Sequence, residues 1–155
     1  MYIKKITLNN FRNYEKEEVE FEDNINIIYG NNAQGKTNII EAIYLCAYGK
    51  SFRAKKESDL IRFNEKEANS EIEFFKVDRD SKISFNINEQ KTFFINGIKQ
   101  NKISDIIGRI NVIIFTRGVK NADCSYGFRH SRLRRCRVNP QKQKYYRFKK
   151  RSKLS

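Results

Sequence analysis

The chain has no tryptophan, one proline, one histidine and one methionine among its 155 residues. It also lacks any apolar run approaching the ~20 residues that a membrane-spanning helix needs. The N-terminus reads as free of a secretory signal. The three cysteines, Cys46, Cys124 and Cys136, are odd in number and far apart. That excludes close metal-ligand spacing and an evident disulfide framework, and it fits reduced thiols in the cytoplasm. Acidic residues are scarce in one region only. Residues 117–155 hold a single acid, Asp123, against 14 of the 32 lysines and arginines. Residues 1–116 hold 18 basic and 17 acidic side chains and are close to neutral. The overall charge of +14 therefore belongs to the tail and says nothing about the surface of the body.

What is present is a complete G-x-x-x-x-G-K-[ST] phosphate-loop motif: Gly30, Asn31, Asn32, Ala33, Gln34, Gly35, Lys36 and Thr37. An apolar run at 25–29 leads in, and a helix-like run at 38–47 leads out. Strand, glycine loop and helix together form the cradle for a nucleotide triphosphate. The two glycines let the backbone curl so that successive N–H groups face the phosphates. The helix N-terminus adds partial positive charge. Lys36 is placed to reach the outer phosphates, and the Thr37 hydroxyl to bind Mg²⁺. ATP and Mg²⁺ are the expected ligands.

Period-two patterning predicts strands at 2–9, around Val19 and Phe21, and at 25–29. Ile39, Ile40, Ile43, Tyr44 and Ala47 form a helical stripe expected to face the core, and Gly49 is placed to end that helix. The middle reads as strands at 70–77, 82–88 and 91–95, with Asn96-Gly97 as a hairpin turn. A short helix is expected at 101–107, stopped by Gly108, and a further strand at 111–116. After Thr116 neither period persists. Arg132-Leu133-Arg134-Arg135-Cys136-Arg137 and Lys144-Tyr145-Tyr146-Arg147-Phe148-Lys149 set the character of an irregular tail.

Three segments carry a resemblance: Leu8-Asn9-Asn10-Phe11-Arg12-Asn13-Tyr14, the loop running into Glu41-Ala42-Ile43-Tyr44-Leu45, and Gly49-Lys50-Ser51-Phe52-Arg53. Residues 1–116 resemble the N-terminal part of the RecF family, ATPases related to SMC and ABC-type heads. The resemblance implies an α/β fold: the N-terminal half of an ATPase head, with a mixed sheet, the phosphate loop on an early strand, and antiparallel hairpins. It implies an ATP-binding protein that dimerises on ATP. Such a protein works with recombination mediators at single-stranded or gapped DNA, in replication, recombinational repair and the SOS response. Residues 30–37 match the triphosphate and Mg²⁺ site. Phe11, Arg12 and Asn13 match a segment near the nucleotide, although an exposed turn is the alternative for Arg12. Lys50, Arg53, Lys55 and Lys56 form a basic cluster that could meet DNA phosphate or lie in a solvated loop.

The resemblance breaks at Arg117. The family's signature motif, second acidic motif and catalytic carboxylate have no counterpart here, so no catalytic residue is assigned. Two readings of 117–155 compete. One is out-of-frame translation, which explains the abrupt change of composition at a single residue. The other is a basic arm whose Tyr145, Tyr146 and Phe148 stack on single-stranded nucleic acid. Activity residing in that arm, or another class of phosphate-loop enzyme such as a nucleotide kinase, are the alternatives to a RecF-type function.

Overall fold

The structure, a computed structural model, describes residues 1–114 and the backbone of residues 143–147. Two strands, β1 (Tyr2–Phe11) and β2 (Tyr14–Glu20), open the chain as a hairpin, and β3 (Ile25–Tyr29) follows. The helix α1 (Lys36–Tyr48) leaves the phosphate loop. Four strands come next: β4 (Ala68–Lys76), β5 (Arg79–Ile87), β6 (Thr92–Ile95) and β7 (Ile98–Gln100). A last strand, β8, occupies Gln143–Arg147.

Six strands form one sheet in the order β2-β1-β4-β5-β6-β7, with every neighbouring pair antiparallel. Alternation along β4 puts Ala68, Ser70, Ile72 and Phe74 on the buried face. Ile83, Phe85 and Ile87 of β5 and Ile6 and Leu8 of β1 extend the same surface. Residues of α1 lie in the same buried cluster as these strands. Its buried residues are Ile39, Glu41, Ala42, Leu45, Cys46 and Ala47. This corrects the expected stripe: Ile39 and Ala47 are in the core, but Ile40 is 38% exposed and Ile43 only partly buried. Gly49 ends the helix as expected, at φ 70° with its N–H donating to the Leu45 carbonyl.

The loop strand does not join the large sheet. β3 pairs in parallel with β8, from Ile25 opposite Gln143 to Tyr29 opposite Arg147. Parallel and antiparallel ladders are thus both present, in two separate sheets. The strand at 143–147 falls where periodicity gave no signal. Pairing satisfies the backbone donors and acceptors along one edge of β3, and the aromatic pair Tyr145-Tyr146 suits an extended chain.

Two other expectations change. Residues 101–107 form only a 3₁₀ turn at Ile103–Asp105. A segment this short, closed by Gly108 at φ 85°, cannot offset the cost of nucleating an α-helix. Residues 111–114 form no strand, having no ladder partner among the described residues. Val112 instead packs on the core, and its carbonyl accepts a hydrogen bond from Tyr48 Oη at 2.7 Å. Residues 115 and 116 lie outside the described residues, as does the rest of the tail apart from β8. No helix of the described residues is long and apolar enough to cross a membrane.

Candidate functional site

The loop between β3 and α1 is built for an anion. Gly35 starts the helix at φ 100°, a conformation that favours glycine, and no side chain caps the helix N-terminus. The first turn of α1 also contains no acid. Asn38 and Ile39 donate their N–H groups to the Gly35 carbonyl, so the earlier amides of the turn and the positive end of the helix dipole are left for a ligand. Lys36 curls back into the loop. Its Nζ donates to the carbonyls of Gly30 at 2.8 Å and Asn31 at 2.6 Å. Asn31, Asn32, Ala33 and Thr37 are exposed, so both the rim of the loop and the threonine hydroxyl face solvent. Gln34 Oε1 is buried with no hydrogen-bond partner. Its donors, its lysine and its open hydroxyl suit a triphosphate with Mg²⁺.

The β1–β2 turn leans on this loop. A Cβ added to Gly35 would lie 2.5 Å from Tyr14 Oη and 2.9 Å from Asn13 Oδ1. Asn13 Oδ1 also accepts from Asn38 Nδ2, in the first turn of α1, at 2.7 Å. Tyr14 is 7% exposed and its hydroxyl has no partner. Burial pushes its phenol up to about 12, with Glu17 adding to the shift. The segment matched by the resemblance therefore sits against the loop.

Arg12 is not an exposed turn residue. Its Nε and Nη2 donate to the two carboxylate oxygens of Glu41 at 3.0 and 2.6 Å, and its Nη1 to the Asp59 carbonyl at 2.6 Å. Glu41 is fully buried on α1. It also accepts from Ser51 Oγ at 2.5 Å, and Arg53 Nη1 lies 3.6 Å from its Oε2. Ser51 Oγ in turn accepts the N–H groups of Arg53 and Ala54. Phe52 packs edge-on against Tyr44 of α1, which holds this segment on the helix.

Arg53 stays exposed, its side chain 43% accessible, while it donates to Asn38 Oδ1 at 3.0 Å. Lys50, Lys55 and Lys56 are exposed as well, so all four basic residues reach solvent, Arg53 with its guanidinium also tied to Asn38. Glu41 is the central residue that sequence reasoning passed over. Its signal was a lone carboxylate on the helix, next to Ala42 and one turn from Leu45. A cleft of about 890 Å³ lies along 64–67 and 88–92, and none of its lining residues belongs to the loop.

A family model described as an AAA domain matches residues 5–154. The chain belongs to the AAA domain family. Among members of that kind, it is 44% identical over 118 residues to the DNA replication and repair protein RecF of Clostridium acetobutylicum. That match covers 75% of this chain and 32% of the relative. RecF of Clostridium beijerinckii is 43% identical over the same length. The chain thus spans 32% of the length of these curated relatives. A solved structure of the recombination mediator protein RecF with ATP, in the RecFOR pathway, superposes with a TM-score of 0.71 at 38% identity. It covers 75% of this chain and 32% of that one. An SMC head bound to the C-winged helix domain of ScpA gives 0.61 at 30% identity, covering 69% of this chain and 39% of that one. This AAA domain therefore has the fold of the N-terminal part of RecF and SMC ATPase heads, as its loop and flanking motifs imply.

Proposed function

We propose that this chain binds ATP through residues 30–37 and is the N-terminal part of a RecF-type DNA replication and repair ATPase. The observation that carries the reading is the lysine in its loop. The Lys36 ammonium rests on two carbonyls of an uncapped, acid-free helix start. Phosphate oxygens are stronger partners for that ammonium than neutral carbonyls, so a triphosphate draws Lys36 off Gly30 and Asn31. The loop amides take the remaining phosphate charge. Thr37, exposed beside Lys36, supplies the hydroxyl for Mg²⁺. When bound, the metal neutralises charge on the outer phosphates.

Titration with a fluorescent ATP analogue tests this. Lys36→Ala should weaken binding by about tenfold or more, the scale of one charge-assisted contact to phosphate. Equal affinity in the variant overturns the reading. The chain contains no second acidic motif, so bound ATP should persist without turnover.

The remaining assignments belong to the longer protein. They are ATP-dependent homodimerisation, action on single-stranded or gapped DNA with recombination mediators, the SOS response and a cytoplasmic location. Exposed Lys50, Arg53, Lys55 and Lys56 support contact with DNA phosphate. We place a boundary at 116/117, with residues 117–155 as an out-of-frame tail. The change of charge at that point supports this. Resequencing the coding DNA tests it, since a shifted frame should restore a RecF-like continuation. A second reading, nucleic-acid binding by the basic tail, rests on the 14 basic residues there. Truncation after Thr116 should then abolish nucleic-acid binding. Because it also removes β8, the partner of β3, ATP binding is read in a full-length chain with the lysines and arginines of 117–142 replaced by glutamine, which should keep it.

A further inference from the structure

We propose that Glu41 is a positioning residue for the phosphate loop. It acts through the Arg12–Asn13–Tyr14 turn without touching the ligand itself. The inference rests on the reading of residues 30–37 as a triphosphate site.

A buried carboxylate is costly unless it is paired and hydrogen-bonded. Glu41 satisfies both of its oxygens within the protein. Arg12 grips it from the β1–β2 turn and Ser51 from the segment after α1. The two-residue turn it grips is a strained one, since Arg12 sits at φ 55°, where a non-glycine residue costs free energy. The backbone of Arg12 is tied as well, its N–H donating to the Leu60 carbonyl at 2.8 Å. The fork of hydrogen bonds to Glu41 fixes the direction of the turn as well as its place.

The next two residues face the loop. Asn13 and Tyr14 approach Gly35 so closely that a single methyl group there would overlap both. Asn13 also reaches Asn38, two residues beyond Lys36. The path from Glu41 to the loop is therefore covalent from Arg12 to Tyr14 and by packing from Tyr14 to Gly35. A shift of the turn moves the wall against which Gly35 holds its left-handed conformation, and with it the amides that meet phosphate.

The experiment compares four proteins: the unaltered chain, Lys36→Ala, Glu41→Gln and Arg12→Lys. Each is titrated with the fluorescent ATP analogue at a temperature where its thermal melt shows it folded. Glu41→Gln and Arg12→Lys each break the bidentate fork, and Arg12→Lys keeps the charge. Each should weaken binding about tenfold, the scale expected when a reacting group or binding loop is displaced by a fraction of an ångström. The double variant should be no weaker than the weaker single one, because both remove one link. The Gly35 amide resonance should move in both singles while that of Gly97 stays in place.

A role limited to stability would lower the melting temperature and leave the affinity and the Gly35 resonance unchanged. That outcome overturns the proposal while leaving the ATP site intact, provided Lys36→Ala still weakens binding. If Lys36→Ala binds as tightly as the unaltered chain, it is the ATP reading that fails. Should Glu41→Gln not fold, Arg12→Lys carries the same test from a partly exposed side chain.

Discussion

Two hairpin turns of the same sheet are built in opposite ways. Asn96-Gly97 joins β6 to β7 with both residues at positive φ, 50° and 80°. It is held by the adjacent strand β5: Asn96 Oδ1 accepts the Lys82 N–H at 2.8 Å, Asn96 N–H donates to the Lys82 carbonyl at 2.9 Å, and nothing lies within 4 Å of the place a Gly97 Cβ would occupy. Arg12-Asn13 joins β1 to β2 with no glycine. It keeps its shape through Glu41, 29 residues away on the helix. The first turn is tied to the next strand of its own sheet and suits its own Asn-Gly pair; the second is tied out of the sheet, to the helix. The one tied to the helix is the one that touches the phosphate loop.

Removing the anchor should separate the two turns most. Glu41→Ala leaves Arg12 without its carboxylate and opens space in the core. The expected loss is about 3–5 kcal/mol, the range for breaking one side of a buried ion pair. Asn96→Ala removes one exposed side-chain acceptor and should cost about 1 kcal/mol. Chemical denaturation of both variants checks this, and equal losses would erase the contrast.

The glycines give the next test. Gly35→Ala must fit a methyl group against Tyr14 and Asn13 at an unfavourable φ, at a cost of about 3 kcal/mol, with loss of ATP binding. Gly97→Ala meets open space and should cost only the φ penalty, about 1 kcal/mol. If Gly35→Ala is as mild as Gly97→Ala, the turn does not press on the loop.

Alkaline pH sharpens the comparison further. Tyr14 is pushed from 10.0 up to about 12 by burial, and Cys46 from 9.0 up to about 12, also by burial. Both groups hold their protons longer in the folded state than in the unfolded chain. Their contribution is complete below pH 9 and is lost as the pH rises from 9 to 12. The slope should reach about 1.4 kcal/mol per pH unit for each group in its own window. Tyr14→Phe should flatten the limb above pH 10 and leave the part due to Cys46. Because the Tyr14 hydroxyl has no partner, the variant should cost little at neutral pH. An unchanged alkaline limb in Tyr14→Phe would mean that the phenol is not held in the wall behind the loop.

What could be read from the sequence follows the same division. The phosphate loop, the helix stop at Gly49 and the Asn96-Gly97 turn are local, and each shows in a few adjacent residues. The strands of the antiparallel sheet show because one face is buried, and alternation records that. The anchoring role of Glu41 does not show, because its partners come from 12, 51 and 53, and no single window contains them. The ties of Arg53 to Asn38 and Glu41 do not show for the same reason. Nor does the separation of β3 from the large sheet show, since which strands pair is set by the whole topology rather than by any run of residues.

The β4–β5 turn lies between these cases and gives the finest test. Its central residues, Val77 and Asp78, are at φ 51° and 60°, the primed-turn geometry that Asn-Gly favours. Val77 is 79% exposed and β-branched, a poor occupant of that conformation. The ladder above it, nine pairs from Ala68–Ile87 to Lys76–Arg79, imposes the turn against local preference. Replacing Val77 with Asn should therefore stabilise the chain by about 0.5–1 kcal/mol, read as a small rise in melting temperature. The same kind of relief at the β1–β2 turn, Arg12→Gly, should do the reverse. It relaxes φ but removes the fork on Glu41, and the buried carboxylate costs more than the strain returns. Opposite signs at the two turns would show that the strain at Arg12 is held by the site, whereas the strain at Val77 is held only by the ladder.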